Sequence, residues 1–289
     1  MNRLHPFTVF LYFVIVIGVT AFTMHPIILC LSFLGVLYFN MVDENLLSWK
    51  KLATLLLAFL LLSVINPIFY HNGRTILFVL NDNPVTLEAF IYGMVAAGVI
   101  ITVLLWCQKL SNYMTTDKTM YLIGKISKKG ALIVSMVFRL MPQYHTHAAA
   151  IRETQKTLGL FKQESLIDKL TGHLHVFSAM MTWALEHSVD TADSMRARGY
   201  GIKKRTSYAS YRLRSLDVVF ILTMIIGLVI IIAGGITNCI SVTYYPDFTL
   251  KSTSFKQWAI YLSYALLVFT MPLYESKEII KWNYLKRKK

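Results

Sequence analysis

Residues 184–201 read ALEHSVDTADSMRARGYG, and this stretch predicts an amphipathic helix that stops at a glycine. The less polar positions recur at helical spacing and form one stripe: Leu185, Ser188, Val189, Ala192 and Met195. Gly199 follows the last turn, where a residue able to take positive φ commonly ends a helix. Arg196 and Arg198 fall in that last turn, where cations suit the carboxyl end of the helix dipole.

The two arginines differ in their neighbours. Arg196 has Asp193 three residues before it, whereas Met195 and Ser194 occupy the corresponding positions before Arg198. Arg198 therefore has no acidic neighbour on its own helix. The ordinary interpretation is an arginine exposed to solvent. The alternative is an arginine that binds another protein, and the rest of the sequence favours it.

The composition predicts a membrane protein. Hydrophobic residues make up 55% of the 289 residues and charged residues only 15%, and the mean hydropathy is +0.52. Several runs with almost no charge are long enough to cross a bilayer. The three cysteines, Cys30, Cys107 and Cys239, show no paired spacing, so we expect neither a disulfide framework nor a metal site.

Six apolar runs are the candidate membrane spans: 7–23, 27–41, 52–70, 86–106, 216–236 and 258–273. The first two could form a helical hairpin, or the second could be only partly embedded. Asn66-Pro67 should end or kink the third run, and 71–84 reads as a loop. A shorter apolar segment, 130–140, is closed by Arg139 and Pro142 and suits a helix at the bilayer edge or beneath the spans.

The chain accordingly divides into N-terminal transmembrane helices (1–108), a cytoplasmic region of amphipathic helices (109–215), and C-terminal transmembrane helices with a basic tail (216–289). Of the 29 lysines and arginines, 26 lie in the amino terminus, the 42–51 loop, the 109–215 region and the tail. The positive-inside rule then places these segments, with both termini, in the cytoplasm. The formal charge of +14 needs no nucleic acid to explain it.

The cytoplasmic region contains two amphipathic segments of about four turns each. In the first, one face carries Tyr144, Ala148, Ile151, Gln155 and Leu158, and Gly159 closes the helix. The second is the opening stretch, closed by Gly199. Such helices suit docking to a soluble partner. They also suit a position on anionic lipid, and periodicity alone leaves both alternatives open.

The residues of a catalytic site are missing from the sequence. The chain has no GxxxxGK[ST] phosphate loop, so we expect any ATPase to be a separate subunit. The histidine pairs 145/147 and 173/175 are spaced i,i+2, which directs the two side chains to different sides of a helix. We therefore predict a non-catalytic subunit with no cofactor of its own.

Five short motifs occur along the chain in a particular order: NPIF at 66–69 with Gly73, TLEA at 86–89 followed by YG at 92–93, TT at 115–116, FRLMP at 138–142, and ARG at 197–199. In this order they resemble the transmembrane T component of energy-coupling factor (ECF) transporters, the family that includes the cobalt-transport permease component. The resemblance covers most of the chain. It differs at the first Ala-Arg-Gly motif, where Leu158 replaces the arginine while Gly159 is kept and Lys156 lies nearby.

The resemblance implies an all-α membrane protein of about six spans, with coupling helices between the fourth and fifth spans. It implies two cytoplasmic ABC-type ATPase subunits that bind ATP, and a small membrane S component that binds a vitamin or a transition-metal ion. The cell membrane of a prokaryote is the implied location. The residues implied to dock the ATPases are Lys156, Leu158, Gly159, Arg196, Ala197, Arg198 and Gly199. Asn66, Pro67, Arg139 and Pro142 are implied motif positions of the coupling machinery.

A self-contained secondary transporter is the alternative function. Such transporters use broken helices that present polar groups near the bilayer midplane. Asn66-Pro67 is the candidate break, and it lies near the end of its run. An intramembrane enzyme would need converging acids, histidines or a metal set, which the sequence does not show.

Overall fold

A computed structural model describes residues 4–42, 49–69, 73–80, 83–159, 166–202, 211–237, 242–245, 249–250 and 255–287. Cys239 and most of the 42–51 loop lie outside these ranges. The described residues form nine helices: α1 (Pro6–Phe22), α2 (Pro26–Val42), α3 (Trp49–Phe69), α4 (Leu87–Tyr113), α5 (Thr116–Ile126), α6 (Lys128–Thr157), α7 (Leu166–Ala197), α8 (Ser215–Ile236) and α9 (Phe255–Arg287). Two antiparallel pairs of short strands accompany them: β1 (Ile76–Leu80) with β2 (Asn83–Thr86), and β3 (Val242–Thr243) with β4 (Thr249–Leu250).

The chain folds as two compact units. One unit, which we call the bundle, comprises Met1–Thr115 and Tyr211–Lys289, and the other, the insert, comprises Thr116–Ser210. The bundle contains α1–α4, α8 and α9, and the insert contains α5–α7. The insert lies inside the 109–215 region, and the division expected after residue 108 falls within α4.

Polar contacts at one end of the bundle bring four helix ends together. The His5 backbone N–H donates to Asp217 Oδ1 at 2.9 Å, which joins the starts of α1 and α8. Lys109 Nζ lies 3.4 Å from the Phe39 carbonyl oxygen, so the last turns of α2 and α4 meet. The chain passes into the insert after α4 and returns from it before α8, so both connections begin at this end of the bundle.

Contacts at the opposite end complete an alternating arrangement. Thr20 Oγ1, near the end of α1, lies 3.0 Å from the Tyr264 hydroxyl in the first half of α9. Gly93, near the start of α4, packs against Ser63 in the second half of α3. Successive bundle helices therefore run in opposite directions. Both strand pairs, which connect α3 to α4 and α8 to α9, lie at the bundle end opposite to the last turn of α4 and the start of α8.

Two of the bundle helices, Leu87–Tyr113 and Ser215–Ile236, are long and apolar enough to cross a membrane. Three more helical segments are apolar but shorter: α1 (Pro6–Phe22), α2 (Pro26–Val42) and the Ala53–Phe69 part of α3. The aliphatic side chains of α3 and α8 are mostly exposed, among them Leu57, Leu61, Leu222 and Val229. Exposed apolar surface of this extent indicates that these helices face lipid or another protein.

The bundle core is aromatic, and several of its buried polar atoms are paired. Trp106 and Tyr12 are fully buried, and the Tyr12 hydroxyl donates to the Val268 carbonyl oxygen at 2.7 Å. Trp106 Nε1 donates to Ser32 Oγ at 3.0 Å. Pairing of this kind offsets the cost of burying polar groups in an apolar interior. Close packing of α2 on α9 requires Gly35, because a Cβ there would lie 2.0 Å from Val268 Cγ1.

α1 and α2 begin with the same His-Pro device. His5 Nδ1 accepts from the Phe7 N–H at 3.1 Å, and His25 Nδ1 accepts from the Ile27 N–H at 3.3 Å. In both helices proline fills the first position, where a backbone N–H has no helical partner. Burial lowers the pKa of His25, which keeps the imidazole neutral and able to accept this bond.

Both long helices of the insert exceed their predicted lengths, and one of them continues through a proline. α6 is one 30-residue helix that continues through Pro142, so the 130–140 segment and the four-turn segment after it are a single element. α7 has 32 residues, about twice the predicted length. A proline costs a helix about 3 kcal/mol, and the contact of α6 with α7 along its length opposes that cost.

α3 ends two residues after Pro67, at Phe69, as the prediction that Asn66-Pro67 ends or kinks this run expects. Two other bundle segments depart from the predictions. α9 continues through Pro272 to Arg287, so the basic tail is the last part of a 33-residue helix rather than a separate segment. The predicted 71–84 loop contains β1 and the start of β2, and Ile76 pairs with Thr86 directly before α4.

Candidate functional site

α6 and α7 form an antiparallel pair within the insert. The Tyr144 ring centroid lies 5.2 Å from that of Trp183, and further along α6 Arg152 Nη2 lies 3.2 Å from His173 Nδ1. Residue numbers rise on α6 as they fall on α7, so the two helices run in opposite directions. The Trp183 indole lies between two imidazoles, with centroids 4.0 Å from His147 and 5.1 Å from His187. This aromatic stack holds the middle of the pair together.

α7 ends in a Schellman turn. The Tyr200 N–H donates to the Met195 carbonyl oxygen at 3.0 Å, and the Gly199 N–H donates to that of Arg196 at 2.9 Å. Gly199 has a φ of +77°, the left-handed conformation that glycine adopts at little cost. Ala197 is the last helical residue, so Arg198 takes the cap position between the helix and the glycine.

The two arginines of this turn have different surroundings. Arg196 Nη1 lies 3.9 Å from Asp193 Oδ1, and the two side chains are 83% and 69% exposed. Arg198 is also exposed, and its guanidinium forms no ion pair or hydrogen bond with any residue the structure describes. The intrahelical partner expected for Arg196 is thus confirmed.

α6 ends in a closely similar turn. The Gly159 N–H donates to the Lys156 carbonyl oxygen at 3.1 Å, and Gly159 has a φ of +87°. Leu158 takes the cap position and is 73% exposed. The Leu158 N–H donates four residues back to Thr154 at 3.1 Å, as the Arg198 N–H does to Ser194 at 3.2 Å. Leu158 and Arg198 are therefore equivalent positions on the two helices.

Lys156 does not reproduce the missing arginine. Its side chain is exposed, one turn from Glu153, yet the described residues hold no ion pair within 4.0 Å of its ammonium group. Lys156 lies two residues before the cap, at the position that matches Arg196 on α7 rather than Arg198.

Because the pair is antiparallel, its two glycine turns lie at opposite ends. α6 has 30 residues, and at 1.5 Å per residue it is about 45 Å long. The ends of α6 and α7 are therefore separated by roughly the length of the pair. Leu158 and Arg198 are thus exposed at opposite ends of the pair.

A shallow apolar groove runs between the first half of α6 and the second half of α7. Its volume is about 480 Å³, and its walls include Met136, Leu140, Met141 and Tyr144 of α6 and Thr191 and Met195 of α7. Arg139 and Pro142 interrupt these positions on α6 and are exposed. A groove of this character accepts an apolar helix or chain more readily than a charged solute.

Asn66 and Pro67 lie in the bundle rather than on the insert. Pro67 has no N–H, so the Ser63 carbonyl lacks its usual donor four residues on. A Cβ on Gly93 would lie 2.7 Å from that carbonyl oxygen and 3.0 Å from Asn66 Cβ, so Gly93 permits α4 to approach α3 here. Ser63 Oγ and Asn66 Oδ1 are buried without a hydrogen-bond partner among the described residues.

Sequence reasoning missed two buried charges of the bundle. Lys109 was the first residue of the expected cytoplasmic region and Glu275 the first of the tail, yet they are only 2% and 8% exposed. The helical period did indicate that Lys109 is buried, because it follows Leu105 and Trp106 on the buried face of α4. The Trp183 stack was also missed, since its histidines come from two helices.

Comparison with known proteins adds no family assignment: no family model and no curated protein matches this chain. Within the described ranges, no group of three or more histidine, cysteine, aspartate or glutamate side chains could hold a metal ion. The candidate site is therefore a pair of long helices with two exposed, glycine-terminated ends, and the chain joins this pair to an apolar bundle.

Proposed function

We propose that this protein is the transmembrane coupling component of an ECF-type ABC importer. The observation that carries the proposal is the α6–α7 pair, whose two ends share one backbone turn and each present an exposed cap residue. Two ATPase subunits would dock there, one on each end. Arg198 would enter a socket lined by carboxylates, where its planar guanidinium forms paired hydrogen bonds. Leu158 would enter an apolar socket.

Because the two ends are far apart, the α6–α7 pair can bind two ATPase subunits at once and respond to movement between them. When two ATPase subunits close on ATP, the sockets that hold Leu158 and Arg198 change their spacing and direction. The aromatic stack around Trp183 ties α6 to α7 at mid-length, so a displacement of either end is passed to the other helix. Binding energy that differs between the open and closed ATPase dimer drives this step.

The remaining parts take their roles from the same proposal. The six alternating bundle helices would be membrane spans, with both termini and the insert in the cytoplasm of a prokaryote. The apolar groove between α6 and α7 would receive part of the S component. That subunit would bind the substrate, a vitamin or a transition-metal ion, and ATP would bind only to the ATPases.

One observation favours secondary transport as a second candidate function. Ser63 Oγ and Asn66 Oδ1 are buried without partners among the described residues, next to a carbonyl that Pro67 leaves without its helical donor. Oxygen atoms left unpaired at an interrupted helix are the kind of group that transporters use to bind ions or polar solutes. Uptake by the purified chain alone in proteoliposomes, without ATP, would establish this function.

Purification from the native host tests the main proposal. The tagged chain should co-purify with two nucleotide-binding proteins and a small hydrophobic membrane protein, and the complex should hydrolyse ATP. Crosslinking from Leu158→Cys and Arg198→Cys should reach ATPase subunits. A chain that purifies alone and transports solute without ATP would refute the coupling role.

A further inference from the structure

The insert joins the bundle at two places in the chain, and each lies close to a buried carboxylate. α4 ends at Tyr113, three residues before the insert begins at Thr116, and the chain returns at Tyr211, just before α8. Glu275 is 8% exposed and Asp217 is fully buried. Both carboxylates lie at the end of the bundle where the insert is attached.

The first group of contacts, which we call the α4 anchor, consists of Phe39, Lys109, Tyr113 and Glu275. The Tyr113 hydroxyl donates to Glu275 Oε2 of α9 at 2.7 Å. The Tyr113 ring stacks on Phe39 of α2, with centroids 5.2 Å apart and planes at 12°. One turn earlier, Lys109 Nζ lies 5.1 Å from the Phe39 ring centroid and 3.4 Å from its carbonyl oxygen. The last turn of α4 is thus tied to both α2 and α9.

The second group, the α8 anchor, consists of His5, Tyr211, Arg214 and Asp217. Asp217 Oδ1 accepts from the His5 N–H and Oδ2 from the Arg214 N–H, each at 2.9 Å. The His5 and Tyr211 rings meet edge to face at 6.3 Å. The returning chain is therefore tied to the start of α1 before α8 begins.

Both anchors use buried charge where apolar packing would serve stability as well. Burying a carboxylate carries a desolvation cost that its hydrogen bonds largely offset, so such groups add little net stability. What directional bonds add is a fixed position of one helix against another, because sliding by one turn breaks them. Each anchor holds in place a connection through which the insert can pull on the bundle.

We propose that the two anchors are positioning elements of energy coupling: they hold the ends of α4 and α8 so that displacement of the insert moves these helices as rigid bodies. The inference rests on the proposed function. Without an anchor, the last turn of α4 or the first turn of α8 would yield, and movement of the insert would be absorbed locally.

The test uses the complex purified from the native host, with Cys30, Cys107 and Cys239 replaced by serine. Spin labels at Met94→Cys and Ile232→Cys report the distance between the start of α4 and the end of α8; both side chains are exposed. ATP with vanadate is the probe. In the otherwise unchanged complex, it should populate a second distance between the labels.

Tyr113→Phe removes only the hydroxyl that binds Glu275, and it should lower the ATP-induced population about fivefold, the low end of ordinary coupling energies. Asp217→Asn, which takes away one acceptor oxygen of the α8 anchor, should act in the same direction. Glu275→Gln keeps an acceptor for Tyr113 and should retain most of the response. ATP hydrolysis per complex should be unchanged in all three variants.

Tyr12→Phe is the control, because it deletes a hydroxyl that is more deeply buried than that of Tyr113 and that also donates a 2.7 Å bond, to the Val268 carbonyl oxygen, on a helix not joined to the insert. It should leave the response intact. A full response in Tyr113→Phe, or an equal loss in Tyr12→Phe, would overturn the inference. A chain that brings no ATPase through purification refutes the proposed function itself, and that result is known before any label is attached.

Discussion

The ends of α6 and α7 have the same backbone and different side chains. Both helices stop at a glycine in the left-handed conformation, with φ of +87° at Gly159 and +77° at Gly199. In both, the cap residue donates its N–H four residues back and presents its side chain to solvent. One cap is Leu158, and the other is Arg198. The same backbone turn can thus present an apolar or a charged side chain at the end of a helix.

Under the proposed function, this difference determines which kind of surface each ATPase subunit must present to its helix end. An arginine without an intramolecular partner gains most from a carboxylate in a pocket shielded from water. A leucine that is 73% exposed gains only from an apolar surface. The two sockets should therefore differ, and the four predictions below test that difference at each end.

The largest effect is expected at the α7 end. Arg198→Ala should weaken ATPase binding by about 2–5 kcal/mol, because it strands a buried carboxylate of the partner. Pull-down at matched expression, together with ATP-driven uptake of vitamins and divalent metal ions, measures the loss. Arg198→Lys should restore only part of it, since a point charge cannot copy the bidentate contact. Wild-type binding by Arg198→Ala would remove the docking role of this turn.

At the α6 end, Leu158→Asp should weaken binding by about 1.5–3 kcal/mol, or roughly ten- to a hundredfold in affinity. The same charge placed one turn earlier, as Thr154→Asp, serves as the control and should have little effect. Leu158→Arg then sharpens the comparison. It should also weaken binding if the socket is apolar, and tighter binding of this variant would show that both sockets are acidic.

The backbone turns should respond alike. Gly159→Ala and Gly199→Ala each force a Cβ into the left-handed conformation at a cost of about 1–2 kcal/mol. At Gly199 the nearest atom to such a Cβ is Ile202 Cδ1 at 3.4 Å, so the strain is that of the dihedral angle alone. ATPase affinity and amide exchange in the last helical turn measure the response. A loss at one end only would show that the turns are not functionally equivalent.

The smallest effect belongs to Arg196. Its ion pair with Asp193 is highly exposed on both sides, and exposed pairs contribute about 0.2–1 kcal/mol. Arg196→Ala should therefore leave binding and uptake nearly unchanged under the conditions used for Arg198→Ala. If Arg196→Ala caused a loss as large as that of Arg198→Ala, the assignment of the docking contact to Arg198 alone would be wrong.

The sequence predicted the residues that end α6 and α7 better than it predicted the lengths of these helices. Gly159, Gly199 and the pairing of Arg196 with Asp193 depend on residues within one turn of each other, and all three lie as expected. The lengths of α6 and α7 were wrong, because Pro142 reads as a stop and the packing of one long helix on another is invisible in a single segment. The buried state of Lys109 and Glu275 was missed for a related reason. Charge predicts exposure unless a partner on a distant helix is known.

By itself, the sequence determined the local and compositional features of this protein. Apolar runs, the asymmetry of lysine and arginine, glycine stops and the chemistry of each cap residue all follow from residue type and short-range spacing. Only the tertiary structure decided that α6 and α7 are antiparallel, that their two ends lie about 45 Å apart, and that Tyr113 meets Glu275 across 162 residues of chain. These features depend on contacts between distant segments, whose free energy exists only once the helices have packed.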